Sequence, residues 1–284
     1  MKKVLIITSG IIGAIIILFL MWCRYVGTKG LVIKEYLVKD QNLPTSFYGV
    51  KVVHISDIHY GQITGKKELD NLVKKINKLN PDIIVLTGDL LDKDIKYTNE
   101  DLDTIINSLN RLNANIAKFI ISGNHDLAKT NDYNKILDKI NFTNLDNTYQ
   151  ILYNKDKEPI LILGLSTIVS KNDYTELLNE TKALLKDETK NIKYSILLIH
   201  EPDIINKIEY KNYNLILAGH AHGGQVKLPL TGALIYPKNA KKYHNDFYNL
   251  KGSKMYISSG IGTTKTKLRF NNKPSFNLYR LVNK

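Results

Sequence analysis

The chain has 284 residues, 43% of them apolar and 24% charged, with a formal net charge of +13. That composition excludes disorder over most of the length and leaves room for one large domain after an apolar N-terminal stretch. The charge admits an anionic partner (a phosphate ester, nucleic acid or a membrane surface), but no block of five basic residues singles one out, and a lysine-rich solvated surface is the plainer reading.

Residues 4–22 carry no charge and are almost wholly aliphatic. As a helix rising about 1.5 Å per residue they match the ~30 Å hydrocarbon core of a bilayer. Trp22 and Tyr25 sit where an interfacial belt belongs. A cleavable signal fits less well, because the run exceeds a normal apolar core and no small-residue cleavage site follows. A lipoprotein signal is opposed by Trp22 directly before Cys23, and a buried core helix would be unusually uniform. Residues 1–24 are therefore expected to be a single-pass anchor in the cell membrane. Lys2 and Lys3 lie closest to the run, which favours an inside N terminus and a domain on the extracytoplasmic side. Cys23 is the only cysteine, so intrachain disulfides, Cys-rich metal sites and thiol nucleophiles in the main domain are excluded.

Residues 25–47 read as a connector with one apolar patch at 31–36. From residue 48 to 284 a folded domain is expected. Buried strands are predicted at 50–55, 83–87 and 117–122, separated by amphipathic helices at 66–79 and 102–112. Strand–helix alternation predicts βαβ units and a largely parallel sheet. Strands at 149–153 and 160–165 flank a hairpin turn at 154–159. A helix follows at 174–185, then strands at 194–199, 214–218, 254–258 and 276–281. That many strands suggests two packed sheets with outer helices.

Five polar motifs punctuate these elements: Asp57-Ile58-His59, Gly88-Asp89-Leu90-Leu91-Asp92, Gly123-Asn124-His125-Asp126, His200, and Gly219-His220-Ala221-His222. Each follows an apolar run predicted as a strand. In a mostly parallel sheet, ligands collect at the carboxyl ends of strands, so one edge is expected to receive all five. Singly, each motif has a plain structural reading: a turn, a helix cap or a satisfied histidine. Together, His, Asp and Asn are donors for first-row divalent ions in numbers that suit two. His54, inside an apolar run, reads as a core histidine. His244 reads as part of a solvated loop. Asp126 reads as a turn or supporting residue, and Arg269 as a candidate phosphate contact.

The order D-x-H, GDxxD, GNHD, H, GHxH resembles the calcineurin-like metallophosphoesterase family over residues 48–284. Residues 219–225 and 259–263 are similar to a membrane-anchored subgroup, the UDP-diacylglucosamine pyrophosphohydrolase-like phosphoesterases. The resemblance implies an α/β fold, a sandwich of two mixed β-sheets flanked by helices. It implies that Asp57, His59 and His222 hold one metal ion, that Asn124, His200 and His220 hold a second, and that Asp89 bridges them. The ions would be Mn, Fe or Zn, with Mn favoured. It further implies that His125 stays off the metals as the catalytic acid and that Asp92 orients its ring. The expected activity is hydrolysis of a phosphodiester or pyrophosphate bond, in a small or lipid-linked substrate near the bilayer. A nuclease or nucleotide phosphodiesterase, and a non-catalytic anchored binding module, are the alternatives.

Overall fold

Parallel strands covered on both faces need apolar side chains at successive positions, and the apolar runs of this chain meet that need. The computed structural model describes residues 1–155, 158–233 and 235–283. Helix α1 (Lys2–Tyr25) is followed by β1 (Val32–Lys39), β2 (Lys51–Ile55), α2 (Lys66–Asn77), β3 (Ile83–Thr87), α3 (Asn99–Asn110), β4 (Ala117–Ile121), the single turn α4 (Asn124–Leu127), α5 (Thr130–Leu137) and β5 (Thr143–Asn144). Strands β6 (Thr148–Leu152) and β7 (Ile160–Gly164), helix α6 (Thr175–Lys186), β8 (Tyr194–Ile199) and β9 (Leu215–Ala218) come next. Short strands β10 (Lys227–Leu228) and β11 (Gly232–Ala233), then β12 (Phe247–Leu250), β13 (Ser253–Ile257) and β14 (Ser275–Val282) complete the fold.

Two six-stranded mixed sheets form, ordered β1-β14-β2-β3-β4-β5 and β12-β13-β9-β8-β7-β6. Strands β2, β3 and β4 run parallel, as do β7, β8, β9 and β13. Alternate residues of each buried strand serve two different cores. Val52, Ile83, Val85, Phe119 and Ile121 meet Ile162, Ile196, Leu198 and Leu217 between the sheets. Val53, Ile55, Ile84 and Leu86 face outward onto Leu69, Leu72 and Ile76 of α2 and Ile105 and Leu109 of α3. On the outer face of the second sheet, Leu163, Leu197 and Ile216 lie under Leu177 and Leu178 of α6. This is the expected sandwich flanked by helices.

Several boundaries differ from expectation for local reasons. Helix α3 begins three residues early because Thr98 and Asp101 form a reciprocal cap: Thr98 Oγ1 accepts from the Asp101 N–H at 3.2 Å, and the Asp101 carboxylate accepts the Thr98 N–H at 2.9 Å. The expected connector contains β1, which pairs in parallel with β14 from Val32↔Ser275 to Lys39↔Val282. Its mixed Lys, Glu and apolar content marks a half-exposed edge strand rather than a loop. The strands expected around the 154–159 turn do pair antiparallel; residues 156 and 157 of that turn lie outside the described residues.

Helix α1 stands away from the sandwich. Cys23 is its one buried residue, and its length and hydropathy make it a candidate membrane span. Only its last turns reach the domain, where Phe19 and Trp22 pack edge-on against Phe270 with ring centroids 5.0 and 5.7 Å apart.

Candidate metal centre

Every sequence motif lies just beyond a strand of the sandwich: Asp57 and His59 after β2, Asp89 and Asp92 after β3, Asn124 and His125 after β4, His200 after β8, His220 and His222 after β9. The two sheets bring these carboxyl ends to one rim. Sharp turns are required there, and Asp57, His59, Asp89, His220 and His222 all take positive φ, between 44° and 64°. Such backbone is costly for residues with a Cβ and persists where the surroundings over-determine it, as at functional sites. Gly88 shows how tight the rim is: its φ is +85°, and a Cβ there would lie 2.6 Å from both the Gly123 nitrogen and His200 Nδ1.

Two groups of donor atoms result. In the first, Asp57, His59 and His222 converge. His59 Nε2 lies 3.1 Å from His222 Nε2, and His222 Nε2 lies 3.3 Å from Asp57 Oδ1. Ser56 Oγ donates to Asp57 Oδ2 at 2.6 Å and fixes the carboxylate. In the second, Asp89, His200 and His220 converge. His200 Nε2 lies 3.2 Å from both Asp89 Oδ2 and His220 Nδ1.

The protonation of these rings is legible from their outer contacts. His200 Nδ1 faces the Thr87 carbonyl at 2.7 Å, and His220 Nε2 faces the Lys238 carbonyl at 2.7 Å. Each carbonyl takes a ring N–H and so turns the other nitrogen inward, where it can serve as a lone-pair donor once it has given up any proton it carries. His59 Nδ1 lies 3.2 Å from Asp92 Oδ2 but without hydrogen-bond geometry, so this contact does not fix the ring's tautomer.

Asp89 joins the two groups. Its Oδ2 is 3.2 Å from His200 Nε2 and 3.5 Å from His59 Nε2, while its Oδ1 accepts the His125 N–H at 2.8 Å. A single oxygen thus faces both groups. Asn124 opens α4 beside them, with a buried Oδ1 that has no hydrogen-bond partner among the described residues. Buried carboxamide oxygens are seldom left unpaired. An orphaned amide oxygen, lone-pair imidazoles and a shared carboxylate are what hard or borderline divalent ions take as ligands, so the residues fit a dinuclear divalent centre.

Charge coupling follows the same geometry. Burial opposes ionisation of His200, yet Asp89 outweighs it and raises its pKa well above the ordinary histidine value; Asp89 is correspondingly held well below the carboxylate range. Burial and the neighbouring His59 push His222 far down, and burial and His200 push His220 down. Burial and Asp89 raise Asp126 to about 7. Its oxygens accept the Leu91 and Gly123 N–H groups, both at 2.9 Å, so it braces the two loops rather than pointing at the donors.

His125 is 8% exposed, its ring edge-on to His59 at 4.5 Å. The family resemblance implies that Asp92 orients this ring, and the ring nitrogen on the Asp92 side is Nδ1. The structure places Asp92 Oδ2 3.6 Å from that atom and closer to His59, while the Lys93 N–H donates to His125 Nδ1 at 3.2 Å. Asp92 therefore stands between two imidazoles, and those of His125 and His59 outweigh its burial and hold it far below the carboxylate range.

Arg269 corrects an expectation. It is wholly buried and donates to the carbonyls of Ser259, Gly260, Gly262 and Asn272. It clamps the loop beside Asp57 and His222 instead of facing a phosphate. His54 is a core histidine as expected, paired with Thr87 and Tyr279. His244 is half-buried and stacks on Tyr236 at 3.8 Å. Ser56 and Asn272 were not singled out in sequence; Ser56 could have been flagged only by its place beside Asp57.

Residues 50–224 match the calcineurin-like phosphoesterase family. The metallophosphoesterase YkuE of Bacillus subtilis is 34% identical over 263 residues, covering 92% of this chain and 88% of its own. A transmembrane protein with metallophosphoesterase domain from Danio rerio is 27% identical over 199 residues, covering 67% of this chain and 44% of its own. Among solved structures, a dimetal phosphatase from Danio rerio aligns with a TM-score of 0.46 and 12% identity over 75% of this chain and 88% of its own. The chain belongs to the calcineurin-like phosphoesterases, a family of metal-dependent phosphoester hydrolases.

Proposed function

We propose that the protein is a membrane-anchored two-metal phosphoesterase that hydrolyses a phosphodiester or pyrophosphate bond in a lipid-linked substrate, from the extracytoplasmic side. The observation that carries this reading is Asp89 Oδ2, set between two donor groups that each draw on both sheets. Asp57, His59 and His222 would hold one divalent ion, and Asn124, His200 and His220 the other, with Asp89 shared. When bound, such a pair supplies positive charge to the phosphoryl oxygens and acidifies the attacking water. Mn²⁺ suits this oxygen- and imidazole-rich set, which has no thiolate.

The chain's own residues supply the rest. The Lys93 N–H at His125 Nδ1 puts the neutral ring's proton on Nε2. From there His125 donates to a phosphoryl oxygen. As water attacks phosphorus and the bond to the leaving oxygen breaks, that oxygen takes a proton from the imidazolium form of His125, which returns to the neutral ring. Asp92, 3.6 Å from Nδ1, balances the charge of the imidazolium before the transfer. The membrane part of the reading rests on α1, and the resemblance of residues 219–225 and 259–263 to pyrophosphohydrolase-like enzymes favours a pyrophosphate.

The test is a hydrolysis screen with the full chain in detergent, with and without Mn²⁺. Turnover of a chromogenic phosphodiester and a lipid-linked pyrophosphate, abolished by chelation and restored by Mn²⁺, is expected. Salt-sensitive cleavage of DNA or RNA with no turnover of lipid substrates would replace this reading by a nuclease. No turnover with any metal would leave a binding module.

A further inference from the structure

A leucine at the tip of a hairpin is exposed without a folding reason. Leu230, in the turn between β10 and β11, is fully exposed at 107% and adopts φ +78°, where glycine or asparagine would be less strained. Ile235, just past the hairpin, is 74% exposed. Neither side chain contributes to a core. The hairpin leaves the metal-centre motif directly after His222 and Gly224, so whatever these residues touch sits beside the site.

The base of the hairpin is tied to the end of the membrane helix. Lys227 N–H donates to the Phe270 carbonyl at 2.9 Å, and Phe270 N–H donates to the Gln225 carbonyl at 3.0 Å. Phe270 in turn packs on Phe19 and Trp22. The length of α1 then fixes the height of this contact. Val4 to Leu18, the part before the first domain contact, rises only about 22 Å. The hydrocarbon core is about 30 Å thick, and Val4 to Trp22 rises about 28 Å. To span, the helix must bring Phe19 and Trp22, and Phe270 with them, to the outer edge of the apolar layer. Lys265 and Lys267, exposed on the loop leading to Phe270, suit the headgroup level.

We propose that the 227–233 hairpin, with Leu230 at its tip and Ile235 beside it, dips into the same bilayer that α1 crosses and seats the metal centre against the lipid surface. This rests on the anchor reading of α1 and adds a second membrane contact, which would let an amphiphilic phosphoester enter without leaving the membrane. Three single-cysteine variants in a Cys23→Ala background test it: Leu230→Cys, Ile11→Cys in the helix, and Lys139→Cys on the rim opposite the metal centre. Each full-length chain is labelled with a nitrobenzoxadiazole fluorophore and reconstituted into phosphatidylcholine–phosphatidylglycerol vesicles containing a lipid spin-labelled near its glycerol backbone. A second set of vesicles carries the spin label deep in the acyl chains. The proposal expects most of the emission at 230 to be lost to the shallow label, emission at 11 to be lost to the deep one, and emission at 139 to be unaffected. Quenching at 11 with position 230 as bright as 139 overturns the hairpin contact and leaves the anchor standing. No quenching at 11 overturns the anchor, and the hairpin contact falls with it.

Discussion

His54 shows how a residue next to the reaction centre can be purely structural. Its ring is wholly buried between Thr87 and Tyr279, and burial lowers its pKa to about 3. In an unfolded chain the value is about 6.5. Between the two, the unfolded chain binds a proton that the native chain does not. This contribution is complete above about pH 6.5 and is lost as pH falls toward about 3, at up to about 1.4 kcal/mol per pH unit. His54→Leu removes that slope but leaves the Thr87 hydroxyl without its partner, at about 1–3 kcal/mol, while the Tyr279 hydroxyl keeps Asn277. Denaturant unfolding in detergent is expected to show the variant's deficit at pH 7 shrinking at pH 5; a constant deficit would show that His54 does not carry the linkage. At this scale the sequence was informative where motifs follow apolar runs, and the structure brings Asp57, His59, Asp89, His200, His220 and His222 together. It was silent where role depends on surroundings: the motif could not say that Arg269 faces four carbonyls, or that Asp92 lies nearer His59 than His125.

Among elements, the loop after β13 supports the rim although it offers no donor of its own to either group. Gly260 has φ +69°, and a Cβ there would lie 2.8 Å from the Asp57 Cβ and 3.2 Å from His222 Nδ1. Gly260→Ala is therefore expected to displace two donors of the first group. Changes to residues that brace metal ligands typically cost about 10–100-fold in metal affinity, and titration of the metal-free variant with Mn²⁺ should show a loss of that order in one of two sites. An unchanged titration would mean that the loop yields freely. The inner strands were legible because both of their faces are buried, which gives unbroken apolar runs. Strands β1, β10, β11 and β12 were not, because edge strands with one wet face mix lysine, glutamate and small residues with apolar ones. The partner of β1 is β14, far away in sequence, whereas β10 and β11 pair with each other and β12 with its neighbour β13.

For the whole molecule, the sandwich sets donors from two sheets against one another, and α1, a candidate membrane span, meets the domain only through its last turns. The fold class was readable because strand–helix alternation and the strand count constrain the layers. The meeting of the two sheets' motifs was readable only as a tendency of strand ends, and the contact of Phe270 with Phe19 and Trp22 was not readable at all. The central claim is that His125 acts on the substrate while the surrounding donors hold the metals. Metal content and turnover of purified His125→Ala, measured beside the wild type after loading with Mn²⁺, test it most directly. Two ions per chain in both proteins, with turnover of a chromogenic phosphodiester reduced about 10²–10⁴-fold in the variant, is the predicted result. Loss of an ion in step with the loss of turnover would contradict it and place His125 among the ligands.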